Sequence, residues 1–165
     1  VEIESRRWPF CFSGDEKSTS GTRSITPFVP FNDELNRLIL VVRNLGAPRA
    51  RVVWGEWTRS FGREELEAGI NLAKEYPENP FSAPFRKLDE VVARKQAVET
   101  PAIKEVITHF RSARRILGED AEAEAAMKKL RERLLARIES LQDEARAVVV
   151  PVRHTIQVTP EPPAS

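Results

Sequence analysis

The chain has 165 residues, with 26 Lys and Arg against 25 Asp and Glu, a formal net charge of +1, and 41% hydrophobic residues. That length suffices for one sizeable core, and the balanced charge argues against a dedicated nucleic-acid binder, which carries a clear basic excess. The single cysteine, Cys11, excludes an internal disulfide and a cysteine-based zinc site, and no run is long and apolar enough to span a membrane.

Val1 to Phe12 alternates at Val1 and Ile3, then turns aromatic at Trp8, Phe10 and Phe12. This predicts a strand, with Pro9 at an edge or a bulge. Cys11 sits inside the apolar run, which predicts a buried, inert thiol. The only methionine is Met127, so the chain is expected to be cut from a longer polypeptide. Ser13 to Ser24 is polar and predicts a mobile loop. Pro27 and Pro30 make Ile25 to Phe31 extended.

The most apolar stretch is Phe31 to Leu45. Its unbroken aliphatic centre predicts a strand from about Leu35 to Asn44, buried on both faces. Gly46-Ala47-Pro48 is a turn, and Arg49 to Trp54 alternates as a second strand. The two strands are expected to pair as an antiparallel hairpin, although not of the tight two-residue kind. Gly55 and Glu56 then turn the chain into a short strand, Trp57 to Phe61. Gly62 to Gly69 predicts one helical turn, acidic at its start and glycine-capped at its end. Ile70 to Ala73 is a brief apolar segment, and Tyr76 to Phe81 a punctuated connection.

Composition changes after Ser82, a candidate N-cap followed by Pro84 in the first turn. Apolar residues at helical spacing run from Phe85 to Leu117. Thr100-Pro101 admits two readings, a new helix capped by Thr100 or one long helix kinked at Pro101. The kinked helix is favoured, although proline inside a helix costs about 3 kcal/mol. Asp120 caps the clearest helix, in which Met127, Leu130, Leu134, Ile138, Leu141, Ala145 and Val148 step by three or four. About 27 residues of helix rise about 40 Å. The two helices predict an antiparallel hairpin that packs within the chain rather than with a second copy. Residues 148–160 return to the sheet as a strand, and residues 161–165 are a frayed tail. The expected fold is α+β in one domain, 1–165. It comprises a small, mostly antiparallel β-sandwich or curved sheet (1–81), a long helical hairpin (82–147) and the returning strand.

Chemistry is sparse. His109 and His154 are the only histidines, far apart, with no metal-binding spacing, and both read as structural. There is no Gly-x-Ser-x-Gly elbow and no phosphate loop. Glu64-Glu65 reads as helix N-terminal charge rather than as an acid–base pair. No catalytic, metal or cofactor residue is assigned. Trp8, Trp54 and Trp57 raise a sugar-stacking surface, against the simpler reading that two of them are core. Trp54, Trp57, Asn32 and Asn36 are the candidate ligand contacts. A partner-binding face on the hairpin is the other alternative.

Several segments, taken in order, resemble a known family. They are Trp8-Pro9-Phe10-Cys11-Phe12-Ser13-Gly14-Asp15, Phe28 to Leu38, Val53-Trp54-Gly55, Gly69-Ile70-Asn71-Leu72-Ala73, Asn79-Pro80-Phe81-Ser82, Lys95-Gln96 and His154-Thr155-Ile156. Together they resemble the C-terminal region of certain bacterial SGNH/GDSL-type hydrolases, whose catalytic α/β domain comes first. The family's Gly-Asp-Ser and Asp-x-x-His blocks do not occur here, so none of its catalytic residues carries over. The resemblance implies an accessory region whose partner is the upstream catalytic domain of the same polypeptide. It further implies acylated carbohydrate as substrate class and a secreted or periplasmic location. Neither nucleic acid nor a membrane is an expected partner.

Overall fold

The computed structural model describes residues 1–17, 19 and 21–162. Ser18 and Ser20 of the expected loop, and residues 163–165 of the expected tail, lie outside the described residues. The fold is α+β, as the patterns predict. Among the described residues six strands are formed: β1 (Glu2–Ser5), β2 (Ile39–Leu40), β3 (Arg49–Trp54), β4 (Trp57–Gly62), β5 (Ile70–Asn71) and β6 (Val152–Glu161). They make an antiparallel sheet of order β1-β6-β3-β4 and a two-stranded antiparallel sheet, β2-β5. The helices are α1 (Phe31–Glu34), α2 (Arg63–Ala68), α3 (Leu72–Glu75), α4 (Ser82–Pro101), α5 (Phe110–Leu117) and α6 (Ala121–Val148). The chain divides into two compact units. One holds residues 1–85 and the described residues from 150 onward; the other is Arg86–Val149.

In the first unit the four-stranded sheet buries one face. Ala50, Val52 and Trp54 alternate inward on β3, and His154 and Ile156 do so on β6. Trp54, Tyr76, Phe81, Leu66, Leu72 and Val52 are fully buried. Burial pushes the Tyr76 hydroxyl up to about 12, so it stays protonated and donates to the Val52 carbonyl at 2.8 Å. The outer face is polar, with Arg51, Ser60, Thr155 and Gln157 among its residues. An antiparallel sheet with one covered face takes this alternation because successive side chains point to opposite sides.

The expected hairpin is not the one formed. Strand β3 pairs with β4 through the two-residue loop Gly55-Glu56, with Trp54 opposite Trp57, and with β6 on its other edge. Gly55 has φ of 62°, and a Cβ there would lie 2.8 Å from the Pro80 ring. Both facts demand glycine, and they explain why this turn is the tight one.

The apolar stretch also departs from expectation. It is not a strand buried on both faces. Phe31–Glu34 is a helical turn, only Ile39–Leu40 is paired, and Leu35 is 74% exposed. Leu38, Leu40 and Val42 pack on the core while Ile39 and Val41 face out. The backbone finds its partners elsewhere. Leu38 N–H donates to the Asn71 side chain at 3.0 Å, and Val42 N–H to the Leu66 carbonyl at 2.9 Å. A buried backbone group needs a partner, and these contacts supply it without a longer ladder. The first strand is likewise shorter than expected, ending at Ser5.

In the second unit the helical path runs through Pro101 without a new cap and widens to a π-helical segment, Ala102–Ile107. The proline has no N–H to donate, and the wider spacing re-pairs the backbone, with Thr108 N–H reaching the Ile103 carbonyl at 3.0 Å. At the hairpin turn Gly118 has φ of 68°. Asp120 then caps α6 by accepting from Ala123 N–H at 2.9 Å, as expected. Arg114 clasps Glu124 with both Nε and Nη2, at 2.5 and 3.0 Å, joining α5 to α6. This fork-to-fork geometry is the strongest form of ion pair at a surface.

Candidate functional site

The first unit contains a cleft of about 410 Å³, formed by four separated stretches of sequence. That volume lies within the range of small-molecule sites, roughly 300 to 1,000 Å³. Phe10 and Phe12 form one wall, and Pro27, Val29, Pro30 and Pro77 add apolar surface. Phe10 packs edge-on against Phe12 and Phe31, with ring centroids 4.9 and 5.5 Å apart. Such pairs hold their rings in fixed orientation.

Its polar groups are held by contacts within the unit. Arg23 Nη2 donates to the Phe12 and Pro77 carbonyls at 3.1 and 3.2 Å, and lies 3.8 Å from Glu78. Lys74 Nζ donates to Asp33 Oδ1 at 2.9 Å, an exposed pair at the rim. The loop carrying Arg23 is closed at its base. Ser13 N–H donates to Thr22 Oγ1 at 2.9 Å, and Arg23 N–H to the Ser13 carbonyl at 3.0 Å. Gly21 lies against that base, where a Cβ would sit 2.4 Å from the Ser13 carbonyl oxygen. These contacts fix the backbone at Arg23 beside the cleft.

The candidate contacts separate in the structure. Asn32 lines the cleft, and its Oδ1 accepts from Asn36 Nδ2 at 2.8 Å. Asn36 is buried, and its amide is spent on the Phe10 backbone, accepting from N–H at 2.8 Å and donating to C=O at 3.0 Å. Trp54 is fully buried, so its ring offers no face to a sugar. Trp57 lies opposite it, on the same inward side of the sheet, and is half-buried. Trp8 is half-buried, and its indole N–H donates to the Val150 carbonyl at 3.1 Å. The tryptophans therefore do not assemble a stacking platform, and none of the three lines the cleft.

Arg23, Phe10, Phe12 and the Lys74–Asp33 pair are the cleft groups not singled out in the sequence. The aromatic run and the two prolines were visible signals, but nothing in the order of residues shows that they converge.

One further pair has the look of chemistry. Ser5 Oγ lies 2.9 Å from His154 Nε2. The opposite ring nitrogen, Nδ1, accepts from the Trp54 indole N–H at 3.0 Å. An indole N–H can only donate, so Nδ1 carries the lone pair and Nε2 carries the proton. The ring therefore donates to Ser5. A general base needs its lone pair on the hydroxyl and a carboxylate on the far nitrogen, the reverse of this arrangement. Burial also holds the imidazole below the ordinary histidine value.

His109 is exposed and donates from Nδ1 to the Glu105 carbonyl at 2.7 Å. Among the described residues no group of His, Cys, Asp and Glu is placed to hold a metal ion. Cys11 is buried, with its sulfur 3.8 Å from Asn79 Oδ1. The cleft thus sets apolar ring and proline surface beside the polar groups of Glu16, Arg23, Asn32, Asp33 and Lys74.

No protein-family model matches the chain, and no curated protein matches it. In fold the chain is similar to a gut microbial diltiazem-metabolizing enzyme, with a TM-score of 0.63 at 14% sequence identity. The match covers 97% of this chain and 42% of that one, so this chain spans less than half the length of the protein it matches. The likeness is one of fold.

Proposed function

We propose that this chain is a non-catalytic accessory region of an SGNH/GDSL-type ester hydrolase. In this reading it packs beside a catalytic domain of the same polypeptide, stabilising it or completing its substrate cleft. One observation supports the reading: several of the residues behind the family resemblance, Asn36, Asn71, Asn79 and His154, tie separate parts of the fold together. Asn36 ties to the Phe10 backbone. Asn71 ties the backbone of Asn32, Asn36, Leu38 and Ala73. Asn79 accepts from Phe81 N–H at 3.0 Å at the entry to α4, and His154 joins Trp54 to Ser5. Residues recurring in such a pattern are expected where a scaffold is shared, and here they do scaffold work. A likeness to a longer enzyme chain, matched over 42% of its length, is in keeping with an accessory role.

The test lies in the encoded polypeptide. A Gly-Asp-Ser block and, nearer Val1, an Asp-x-x-His block are expected upstream. Excising residues 1–165 from that parent is expected to lower its melting temperature or raise its KM for an acylated sugar. Absence of both blocks overturns the reading.

A second reading, a carbohydrate-binding module, is favoured by the cleft rather than by the tryptophans. Phe10 and Phe12 supply apolar ring surface, and Asn32, Arg23 and Asp33 supply hydrogen-bonding groups around it. That reading requires a glycan to bind the purified chain and to be lost in Phe12→Ala without loss of fold.

A further inference from the structure

His154 joins three strands through one ring. It sits on β6, 6% exposed, with Trp54 of β3 on Nδ1 and Ser5 of β1 on Nε2. The rings of Phe81 and Trp54 pack edge-on against it, with centroids 5.1 and 5.9 Å away. Strand β1 is four residues long, stands at the end of the sheet order and pairs only with β6 there. We propose that His154 is an acid-sensitive latch: the neutral imidazole holds β1 to the sheet, and protonation at Nδ1 releases it.

The step is a simple proton uptake from water. The incoming proton takes the Nδ1 lone pair, which is the acceptor of the Trp54 N–H. Two N–H groups then face each other, the hydrogen bond is lost, and a positive charge sits among aromatic rings. Such a charge is costly to bury. The ring relieves this by turning toward the shallow opening beside it, lined by Glu2, Gly55, Pro80, Arg153 and Thr155. That motion withdraws Nε2 from Ser5 and frees β1.

The surrounding charges do not hold the ring protonated. From β1, Glu2 flanks the opening, while Glu4 is engaged by Arg153 at 3.2 Å. From β6, Arg153 flanks the same opening as the partner of Glu4. From β3, Arg51 alternates with Val52 and lies on the outer face. From the segment before α4, Tyr76 packs on Trp54, and Glu78 lies near Arg23. Among the described residues neither ring nitrogen bonds a carboxylate, since Trp54 occupies one and Ser5 the other.

The direction of the pH effect follows. Burial lowers the affinity of the folded ring for a proton. The folded state therefore binds fewer protons than the unfolded chain, and the latch is fully closed above about pH 6.5, the ordinary histidine value. It is lost as pH falls through the lower, folded value. For each pH unit between the two values, the opening equilibrium of β1 shifts about tenfold.

Nitrogen-15 spectra of the imidazoles, recorded with hydrogen-exchange protection of the Glu2–Ser5 amides from pH 7.5 to 4.5, test this. Exposed His109 provides a control ring in the same spectra. Protection is referred to the unfolded-chain exchange rate at each pH. We expect the proton on Nε2 at pH 7.5, and protection of β1 falling as His154 titrates while α6 amides hold theirs. In His154→Gln the fall in β1 protection over this range is expected to vanish. Should that variant not fold, Trp54→Phe removes the opposing N–H and is expected to move the His154 midpoint upward. A proton found on Nδ1 at pH 7.5 overturns the proposal. So does β1 protection that ignores the titration, an unchanged fall in His154→Gln, or an unmoved midpoint in Trp54→Phe.

Discussion

Trp54→Ala is expected to destabilise the first unit by about 4 kcal/mol, the range for deleting a large buried aromatic side chain. The indole is fully buried and packs edge-on against Tyr76 with centroids 5.7 Å apart. It also donates to His154 Nδ1 at 3.0 Å. Its removal leaves a cavity between the central strand and the Tyr76–Phe81 segment, and strips a buried acceptor of its donor. Trp54→Phe separates the two losses. It keeps most of the ring volume and deletes the N–H, so it is expected to cost about 1 to 3 kcal/mol. Urea denaturation followed at the amides of β3 and β6 reads both. Equal midpoints for the two variants contradict this account of the core.

Asn71→Ala has the second large effect, about 3 kcal/mol, because it leaves several backbone groups without partners. One side chain makes four hydrogen bonds. Asn71 Oδ1 accepts from Leu38 N–H and Ala73 N–H at 3.0 and 3.2 Å, while Nδ2 donates to the Asn32 and Asn36 carbonyls at 2.7 and 2.9 Å. That uses all that an amide can offer, two donated and two accepted bonds. Asn71→Asp tests the arrangement from the other side. It keeps acceptors but turns an oxygen toward two carbonyls, and is expected to be at least as damaging at neutral pH. Thermal melting of the three proteins checks the order. An Asn71→Asp variant as stable as the parent shows that the donor bonds contribute nothing.

The same residue explains why the fold was only partly legible. Periodicity disclosed the elements whose side chains answer to their own neighbours. The three-and-four spacing of Met127 to Val148 gave α6, and the alternation of Arg49 to Trp54 gave β3. The apolar run at Leu38 to Leu45 misled because its partners are remote. Leu38 bonds to Asn71, 33 residues away, and Val42 to Leu66. A long apolar run then reads as a doubly buried strand when it is an extended segment with one face covered. The hairpin failed for a related reason. Turn chemistry at Gly55-Glu56 was visible, but which strand lies on the far edge of β3 depends on β6, about a hundred residues later.

The candidate site was less legible still. Asn32 and Asn36 were singled out together, yet one lines the cleft and the other is consumed by the Phe10 backbone 26 residues away. The cleft draws on Phe10, Arg23, Asn32 and Pro77 alike. No local pattern unites them. No carboxylate lies near His154 in sequence, which predicts a structural ring. Its partners are 100 and 149 residues distant, and they give it a proton arrangement that is structural in kind.

The central claim, that these residues build a scaffold and do no ester chemistry, is tested most directly by turnover of p-nitrophenyl acetate. The purified chain is predicted to show no saturable turnover above buffer, and Ser5→Ala, His154→Gln and the parent chain to give the same trace. Saturable turnover abolished by Ser5→Ala or His154→Gln contradicts the account, because it requires the Ser5–His154 contact to act as a nucleophile and base.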